Sequence, residues 1–460
     1  MLDDGVIATV LAEALRDGGD HAELFVEDRE STALKLEDGR LEDVSSGRDR
    51  GAGIRLLTGG RASYAYTNLL TSEALLDAAR VVRAGMTSEA GTVADLRSLP
   101  PPVRHPVRIP PAEVASHDKA AVLTAADEGA RAEGGEIRQV VATYLDVRQR
   151  VLIAASDGRR AEDDRTRVRL GVRVVAGHNG DVSTGFEGPG HLGGYELFED
   201  HPPFEVGRAA AGKAVRMLGA EPSPAGELPV VLASGYGSVL IHEACGHGLE
   251  GDTLAKDASV YAGREGERFA SEQVTIVDDA SDLGAWGGFG FDDEGTPAQR
   301  TVLLDRGVLV GHMSDLLSAS KLGRTSSGNG RRQSYAHLPV VRMTNTYLLE
   351  GPDDPEAIVA SVDRGVYAAT FAGGEVNPAT GNFVFGMSEA YLIEKGEITR
   401  PIRGATLIGD GPTMLGVIDA VGNDAARKEF VCGKDGQHAF VTNAMPTVLL
   451  GRVTVGGTEA

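Results

Sequence analysis

Cysteine, tryptophan and long apolar runs are scarce in this sequence, whose 460 residues include two cysteines and one tryptophan. So few thiols provide no disulfide framework, which excludes a disulfide-rich secreted scaffold. No uninterrupted apolar run approaches the roughly 18 residues of a membrane-spanning helix. The first 20 residues carry acidic side chains where a signal peptide has a basic region. We therefore expect a cytoplasmic protein that does not enter a membrane.

Basic residues are in deficit as well, since 45 lysines and arginines stand against 67 aspartates and glutamates, a formal net charge of -22. A field of this sign repels phosphate backbones, so we expect no nucleic-acid partner. Glycine is abundant, with 61 residues, nearly twice the usual share of about 7 %. The glycines separate short apolar runs and predict many turns. The length suffices for two or three domains with a substantial core.

The chain divides into two regions of different character. Residues 6–15 place apolar side chains on one helical face, and strand-like and helical segments alternate after them. A polar, proline-bearing stretch at 221–227 predicts a boundary. Beyond it, short strands lie between glycines, with a helix near 238–248. We predict an α+β protein in which an N-terminal α/β domain, residues 1–222, precedes a β-rich C-terminal domain, residues 223–460.

The strongest chemical signal is the sequence HEACGHGLEGD at 242–252, which places two histidines around a glutamate. Neutral imidazoles bind Zn²⁺, and a neighbouring carboxylate can take the proton of a metal-bound water. His242 and His247 lie five residues apart, about 140° around an α-helix of 3.6 residues per turn. Two ligands therefore require a π-bulge or a helix that ends near Gly246. Otherwise His242 is a buried or capping histidine and Glu243 a surface acid.

A third zinc ligand has two candidates among the cysteines. Cys432 lies in the sequence CGKDGQ, far along the chain, and its thiolate would complete a site of three protein ligands and one water. Cys245 follows His242 by three residues, within reach on a helix, although a small buried hydrophobe is its alternative role. Three protein ligands indicate a catalytic zinc, whereas four indicate a structural one. The residues alone leave both cysteines open.

Several polar residues are candidates for supporting roles. Glu250 and Asp252 follow the second histidine and could hydrogen-bond a ligand imidazole, although at least one could be a solvated acid. Residues 327–337 offer hydrogen-bond donors on a flexible backbone, suited to gripping a peptide or stabilising an oxyanion. The alternative there is a polar surface loop. The candidates for substrate contact within this segment are Arg331, Tyr335 and His337.

Two further patterns have simpler interpretations. Arg167, Arg169 and Arg173 alternate along a predicted strand, which is typical of a solvent-exposed face neutralised by the acids at 162–164. Trp286 lies among glycines that lack the Lys-Ser/Thr of a phosphate-binding loop. We interpret it as the anchor of a loop.

Separated motifs along nearly the whole chain resemble the TldD/PmbA metalloproteases, and specifically the catalytic subunits of that family. The motifs are HEACGHGLEGD at 242–252, DDEGTPAQRTVLLDRGVLVGHMSD at 292–315, SGNGRRQSYAHLPVVRMTNT at 327–346, CGKDGQ at 432–437 and the terminal TVGG. Several such motifs in the same order are highly specific. The non-catalytic partner subunits of the family lack the H-E-x-x-x-H pattern that this chain keeps.

The resemblance implies a ligand set and an architecture. By its motifs, His242, His247 and Cys432 would hold one Zn²⁺ per chain, and Glu243 would activate water. The family leaves the position of Cys245 variable, which favours Cys432 as the third ligand. It also implies a β-rich C-terminal domain shaped like an incomplete barrel. A dimer would enclose the active sites, formed either by two copies or with a related non-catalytic subunit.

From these observations we predict a zinc peptidase that hydrolyses short or unfolded peptides, because an enclosed site selects such substrates sterically. Two alternatives stay open. One is a non-proteolytic protein that binds a peptide or partner and contains a structural zinc. The other is a zinc hydrolase that acts on amides other than peptides.

Overall fold

The computed structural model describes residues 2–85 and 91–457 and has a mixed α+β fold, as predicted. Its helices lie at α1 Asp4–Ala14, α2 Ser72–Ala84, α3 Ser116–Arg131, α4 Leu197–Asp200, α5 Pro203–Arg216, α6 Val239–Ile241, α7 Gly251–Leu254, α8 Leu316–Lys321, α9 Pro355–Ala360 and α10 Gly411–Gly416. Within these two stretches, no helix is long and apolar enough to cross a membrane.

The N-terminal half is built on an eight-stranded sheet. Its strands are β1 His21–Glu37, β2 Arg40–Thr58, β3 Arg61–Thr67, β4 Arg97–Ser98, β5 Ile137–Ala155, β6 Arg159–His178, β7 Asp181–Glu187 and β8 Gly190–Leu192. They follow the order β3-β2-β1-β5-β6-β4, and β7 and β8 also pair with β6. The central pairs are long and antiparallel, so β1 joins β2 on one side and β5 on the other.

Both faces of this sheet are covered. On one face, α1 packs Ile7 and Leu11 against Leu24 of β1, and the Asp3 side chain caps this helix by accepting a hydrogen bond from the backbone N–H of Gly5. On the other face, Phe25 lies in a cluster with Tyr335 of the C-terminal half. Neighbouring strand residues point to opposite faces, so the sheet connects the N-terminal helices to the second half of the chain.

A closed ring of strands forms the core of the C-terminal half. The strands of its sheet are β9 Glu221–Pro222, β10 Gly226–Leu232, β17 Arg364–Val376, β18 Asn382–Glu394, β19 Glu397–Arg403, β20 Thr406–Asp410, β21 Ile418–Val421 and β24 Val448–Gly456. The path β17-β10-β24-β20-β18 closes because β18 also pairs with β17. The predicted barrel is therefore present, but these five strands close it, so the expectation of an incomplete barrel is corrected.

A six-stranded sheet lies beside this barrel and carries Cys432 at its edge. Its strands are β11 Ile276–Asp279, β12 Arg300–Asp305, β13 Val308–Leu309, β16 Asn345–Leu348, β22 Ala426–Lys434 and β23 Gln437–Met445. The order is β13-β12-β11-β16-β23-β22. A short pair, β14 Gly330–Arg331 and β15 Val340–Val341, stands apart. The predicted domain boundary between residues 222 and 223 stays a prediction.

Fully buried ion pairs join the two halves, and we call Glu23, Arg55, Glu294 and Arg332 the interface network. Arg55 of β2 contacts the carboxylate oxygens of Glu23 and Glu294, each at 2.6 Å. Arg332 reaches back from the C-terminal half to Glu23. The four side chains are at most 1 % exposed. Each half therefore supplies an arginine that pairs with a carboxyl group of the other half, Arg55 with Glu294 and Arg332 with Glu23.

The predicted solvent-exposed arginine face is wrong for two of its three members. Arg167 is buried, and its guanidinium donates to the backbone oxygens of Trp286 and Gly288 at 2.8 and 2.6 Å. Arg169 is partly buried and donates to a backbone oxygen of β22, while Arg173 is exposed. The C-terminal half covers this face of the sheet, which strand alternation alone could not reveal.

Trp286 is buried, with its indole N–H bonded to the backbone oxygen of Phe430 at 3.1 Å, which confirms it as an anchor.

Candidate metal centre

The two histidines of the HEACGH segment are brought together by a single π-helical turn. Residues His242–Gly246 form this turn, which follows α6, and the backbone N–H of His247 donates to the carbonyl oxygen of His242. That i→i+5 hydrogen bond widens the helix by one residue, so positions five apart face the same side. Gly246 allows this turn to pack against buried Met343, since a Cβ at position 246 would lie 2.0 Å from the Met343 Sδ. The five-residue spacing left open a π-bulge or a helix that ends near Gly246, and the structure contains the π-bulge.

Three side-chain atoms converge at this turn. The Nε2 of His242 lies 3.3 Å from the Sγ of Cys432, and the Nε2 of His247 lies 3.4 Å from the same sulfur. The two rings are nearly perpendicular, at 89°, with centroids 4.9 Å apart. In the part of the chain that the structure describes, this is the one group of three such donors within 4.8 Å of one another. A Glu243 carboxylate oxygen lies 3.8 Å from the Nε2 of His247.

Each imidazole is oriented by an acceptor on its far side. The Nδ1 of His242 lies 3.1 Å from the Oδ1 of Asn443, and the Nδ1 of His247 lies 3.0 Å from the Oε2 of Glu250. Acceptors at these positions hold a proton on Nδ1, so a metal that displaced the Nε2 proton would meet the Nε2 lone pair beside the sulfur. The arrangement therefore suits two neutral imidazole ligands and one thiolate.

The electrostatics of the cluster favour a charged sulfur. Burial raises the pKa of the Cys432 thiol, but the protonated imidazoles of His242 and His247 outweigh it and lower that pKa to about 4. Burial lowers the pKa of His242, but the Cys432 sulfur outweighs it and raises that pKa. Burial also raises the pKa of Glu243, against the effect of the same histidines. A thiolate is the form of cysteine that binds metals, and a carboxylate with a raised pKa suits proton transfer near neutral pH.

Cys245 lies in different surroundings. Its side chain is fully buried in the apolar core, and burial raises the pKa of its thiol to about 12. The structure thus places Cys432 at the histidines and packs Cys245 as a small apolar side chain, one of the two possibilities that the sequence left open.

The acids after the second histidine differ in their contacts. Glu250 contacts His247 directly, whereas Asp252 contacts the Nζ of Lys434 at 2.7 Å. Burial raises the pKa of Glu250, but His247 and Lys434 lower it to about 2, so this carboxylate is charged. Neither Lys434 nor Asn443 was predicted from the sequence. Lys434 belongs to the CGKDGQ motif, two residues after Cys432, which was the available signal; no pattern around Asn443 pointed to it.

The three candidates for substrate contact lie on a segment beside the β22–β23 hairpin. Arg331 is buried and donates to the backbone oxygen of Met343 at 2.6 Å. The Tyr335 hydroxyl lies 3.1 Å from a carboxylate oxygen of Asp49, at the boundary between the two halves. His337 contacts the hydroxyl of Ser334. Their role in substrate binding stays a prediction.

Comparison with known proteins finds the same family along the whole fold. Models of the PmbA/TldA metallopeptidases match this chain with domain 1 over residues 22–85, the central domain over residues 109–218 and the C-terminal domain over residues 225–457.

Curated relatives and a solved structure agree with these matches. A metalloprotease TldD homolog of Haemophilus influenzae is 38 % identical over 96 % of this chain and 93 % of its own length. A zinc metalloprotease TldD homolog of Saccharolobus solfataricus is 30 % identical over 55 % of this chain and 58 % of its own. The crystal structure of TldE from Thermococcus kodakarensis shares the fold, with a TM-score of 0.78 at 20 % identity over 98 % of this chain and 100 % of that one. The chain therefore belongs to the PmbA/TldD metallopeptidase family.

Proposed function

We propose that this chain is a zinc peptidase in which His242, His247 and Cys432 bind one Zn²⁺ and Glu243 is the general base. The observation that carries the proposal is the convergence of two Nε2 atoms and one Sγ at a single point, with the Glu243 carboxylate beside it. The H. influenzae and S. solfataricus relatives are named as metalloproteases, the second as a zinc enzyme, which supports extending the activity to this chain.

The residues at this point fit zinc. Nitrogen and sulfur donors are its preferred ligands, and three protein ligands leave a fourth position open for chemistry. Asn443 and Glu250 occupy the far nitrogens of the two rings, as carboxylate and carbonyl partners do in metal sites. Because the described residues bring three donors together and not four, the geometry favours a catalytic site over the alternative of a structural zinc.

The mechanism assigns separate tasks to the residues of the site. Zinc bound there would polarise the scissile carbonyl and lower the pKa of a water. Glu243 takes the proton of the attacking water and delivers it to the departing amine nitrogen. His242 and His247 keep fixed orientations through Asn443 and Glu250, so the ligand atoms stay in place while the proton moves.

The proposed substrates are short or unfolded peptides, and Arg331, Tyr335 and His337 are the candidates for contact with them. Their segment adjoins the hairpin that carries Cys432, since the backbone N–H of Gln333 donates to the Gln437 side chain at 3.0 Å, which supports a place near the reaction. A second copy of the chain or a related non-catalytic subunit is the proposed partner. The likeness in fold to TldE supports a partner of that kind.

The proposal is tested by Glu243→Gln. We expect this variant to keep about one zinc per chain and to lose peptide hydrolysis by at least about 10²-fold, the scale of a general base. Zinc is measured by elemental analysis, and turnover by mass spectrometry of an unfolded oligopeptide digest.

The matched control is Glu272→Gln, because the Glu272 side chain is 77 % exposed and its substitution should leave both quantities unchanged. Full peptidase activity in Glu243→Gln would remove Glu243 from the mechanism. If the parent protein hydrolysed other amides but did not cleave the peptide, the proposed substrate class would be wrong.

A further inference from the structure

Lys434 is buried beside the metal centre and belongs to none of the roles assigned so far. It ends β22, the strand that carries Cys432, and its side chain is 13 % exposed. Its ammonium nitrogen lies 3.0 Å from the Oε2 of Glu250, 2.7 Å from the Oδ1 of Asp252 and 3.1 Å from the backbone oxygen of Val341. A cation that is this deeply buried needs such partners to offset its desolvation.

The three acceptors account for all the donors of the ammonium group, which has three N–H bonds and no lone pair. No donor remains for a substrate carbonyl or a leaving group. A direct chemical task for Lys434 is therefore disfavoured, and its contacts have to be understood through the residues that it holds.

Those contacts link the two segments that supply the metal ligands. Glu250 and Asp252 follow His247, whereas Lys434 follows Cys432, and the two segments lie 185 residues apart along the chain. The same Oε2 of Glu250 contacts both the Nδ1 of His247 and the Nζ of Lys434. The other oxygen, Oε1, is buried without a hydrogen-bond partner among the described residues, so these two contacts fix the carboxylate.

We propose that Lys434 is a positioning residue of the metal centre, which fastens the Cys432 strand to the His247 segment through Glu250 and Asp252. It sets the separation of the His247 Nε2 and Cys432 Sγ atoms and the orientation of the His247 ring. The inference rests on the proposed function in that it takes the His-His-Cys cluster to be a metal site.

The test is metal affinity, measured by competition with a chelator, for the parent protein and for Lys434→Met, with Zn²⁺ and with Co²⁺. Methionine keeps much of the apolar stem and removes the three donors. We expect the affinity of Lys434→Met to be about 10- to 100-fold lower, as for the loss of other partners that orient metal ligands. The absorption spectrum of the Co²⁺ form should change as well, because the sulfur and nitrogen donors shift relative to each other.

The matched control is Lys119→Met. Lys119 of α3 is 6 % exposed and pairs with Asp146 of β5, so its loss costs a comparable buried ion pair in the N-terminal half. We expect its metal affinity and Co²⁺ spectrum to equal those of the parent. If both variants lost stability alike and neither lost affinity, Lys434 would be structural and the proposal overturned.

A milder variant, Asp252→Asn, decides the matter if Lys434→Met does not fold. It keeps the side-chain shape and weakens one of the three contacts, so we expect a reduction of a few-fold in affinity, and parent-like affinity would overturn the proposal. Absence of metal binding in the parent protein would instead overturn the proposed function, which separates the two failures.

Discussion

The metal centre and the interface network both bury ionisable groups, but they arrange them differently. At the metal centre, three donor atoms of like chemical kind point at one another, with 3.3 and 3.4 Å between the sulfur and each nitrogen. In the interface network, acids alternate with arginines, and the Nε atoms of Arg55 and Arg332 are buried without a hydrogen-bond partner among the described residues. Burial raises the pKa of Glu294 to about 8, a shift comparable in size to that of Cys432.

A perturbed pKa therefore does not identify the functional site in this protein, although such shifts are often used as a guide. The distinguishing feature is the convergence of two imidazole nitrogens and one sulfur at a single point, because these are the ligand types that zinc prefers. The interface network instead pairs carboxylates with guanidinium groups, which have no lone pair to offer a metal ion. Substitutions in each region test whether the two differ in this way.

The largest effect is expected from Cys432→Ala set beside Cys245→Ala. Loss of the Cys432 thiolate removes one of three ligands, so zinc affinity should fall by more than the roughly 100-fold that loss of a ligand's hydrogen-bond partner costs. Cys245→Ala should keep about one zinc per chain, because its sulfur packs in the apolar core. Elemental analysis after dialysis measures both. If Cys432→Ala retained its zinc, Cys432 would not be a zinc ligand, and the proposed difference between the two regions would be wrong.

The interface network is tested by Arg332→Met. This change leaves Glu23 with Arg55 as its remaining partner in the network, and breaking a buried pair typically costs about 3–5 kcal/mol in the free energy of unfolding. Chemical denaturation measures this cost, and the folded fraction should still bind zinc. Arg400→Met is the control, since Arg400 is 51 % exposed and should change stability by less than about 1 kcal/mol. Loss of zinc from folded Arg332→Met would show that the two regions are coupled.

The smallest effect, taken per pH unit, is expected in the dependence of stability on pH. The folded protein keeps the Glu294 proton up to about pH 8, whereas a free glutamate loses it near 4.5. Between these values the folded state binds more protons than the unfolded state, so stability falls as pH rises, by at most about 1.4 kcal/mol per pH unit for this group. Glu294→Gln mimics the protonated side chain and should reduce that slope, measured by denaturation at pH 5 to 8. An unchanged slope would mean that Glu294 is ionised throughout.

Much of the site was accessible from sequence because its chemistry is local. The five-residue spacing of His242 and His247 predicted a departure from the α-helix, and Gly246 supplied the means. Cys432 required the family resemblance, since no local pattern connects it with residues 185 positions earlier. Asn443 and Lys434 escaped because a hydrogen-bond partner becomes visible only when its strand is placed.

The fold was predicted less completely, for reasons of long-range pairing. The alternation of Arg167 and Arg169 correctly predicted a strand but not what covers it. Likewise, closure of the barrel depends on parallel pairing of Val230 in β10 with Val366 in β17 and on the contact between β17 and β18. β10 and β17 are separated by more than a hundred residues, and apolar runs alone do not specify such partners.

The proposed metal ligands His247 and Cys432 lie far apart along the chain, so a bound ion would also restrict the unfolded chain. An ion held by His247 and Cys432 would close a loop of 185 residues. In the loop-entropy model, a cross-link of that span lowers the conformational entropy of the unfolded chain, which stabilises the folded state by about 5 kcal/mol. The ion would act as a reversible cross-link between two distant segments of the C-terminal half, in addition to its proposed role in catalysis. Removal of the ion by a chelator would then lower the melting temperature of the protein even when the site is catalytic. Activity and thermal stability would therefore decrease over a common range of metal concentration.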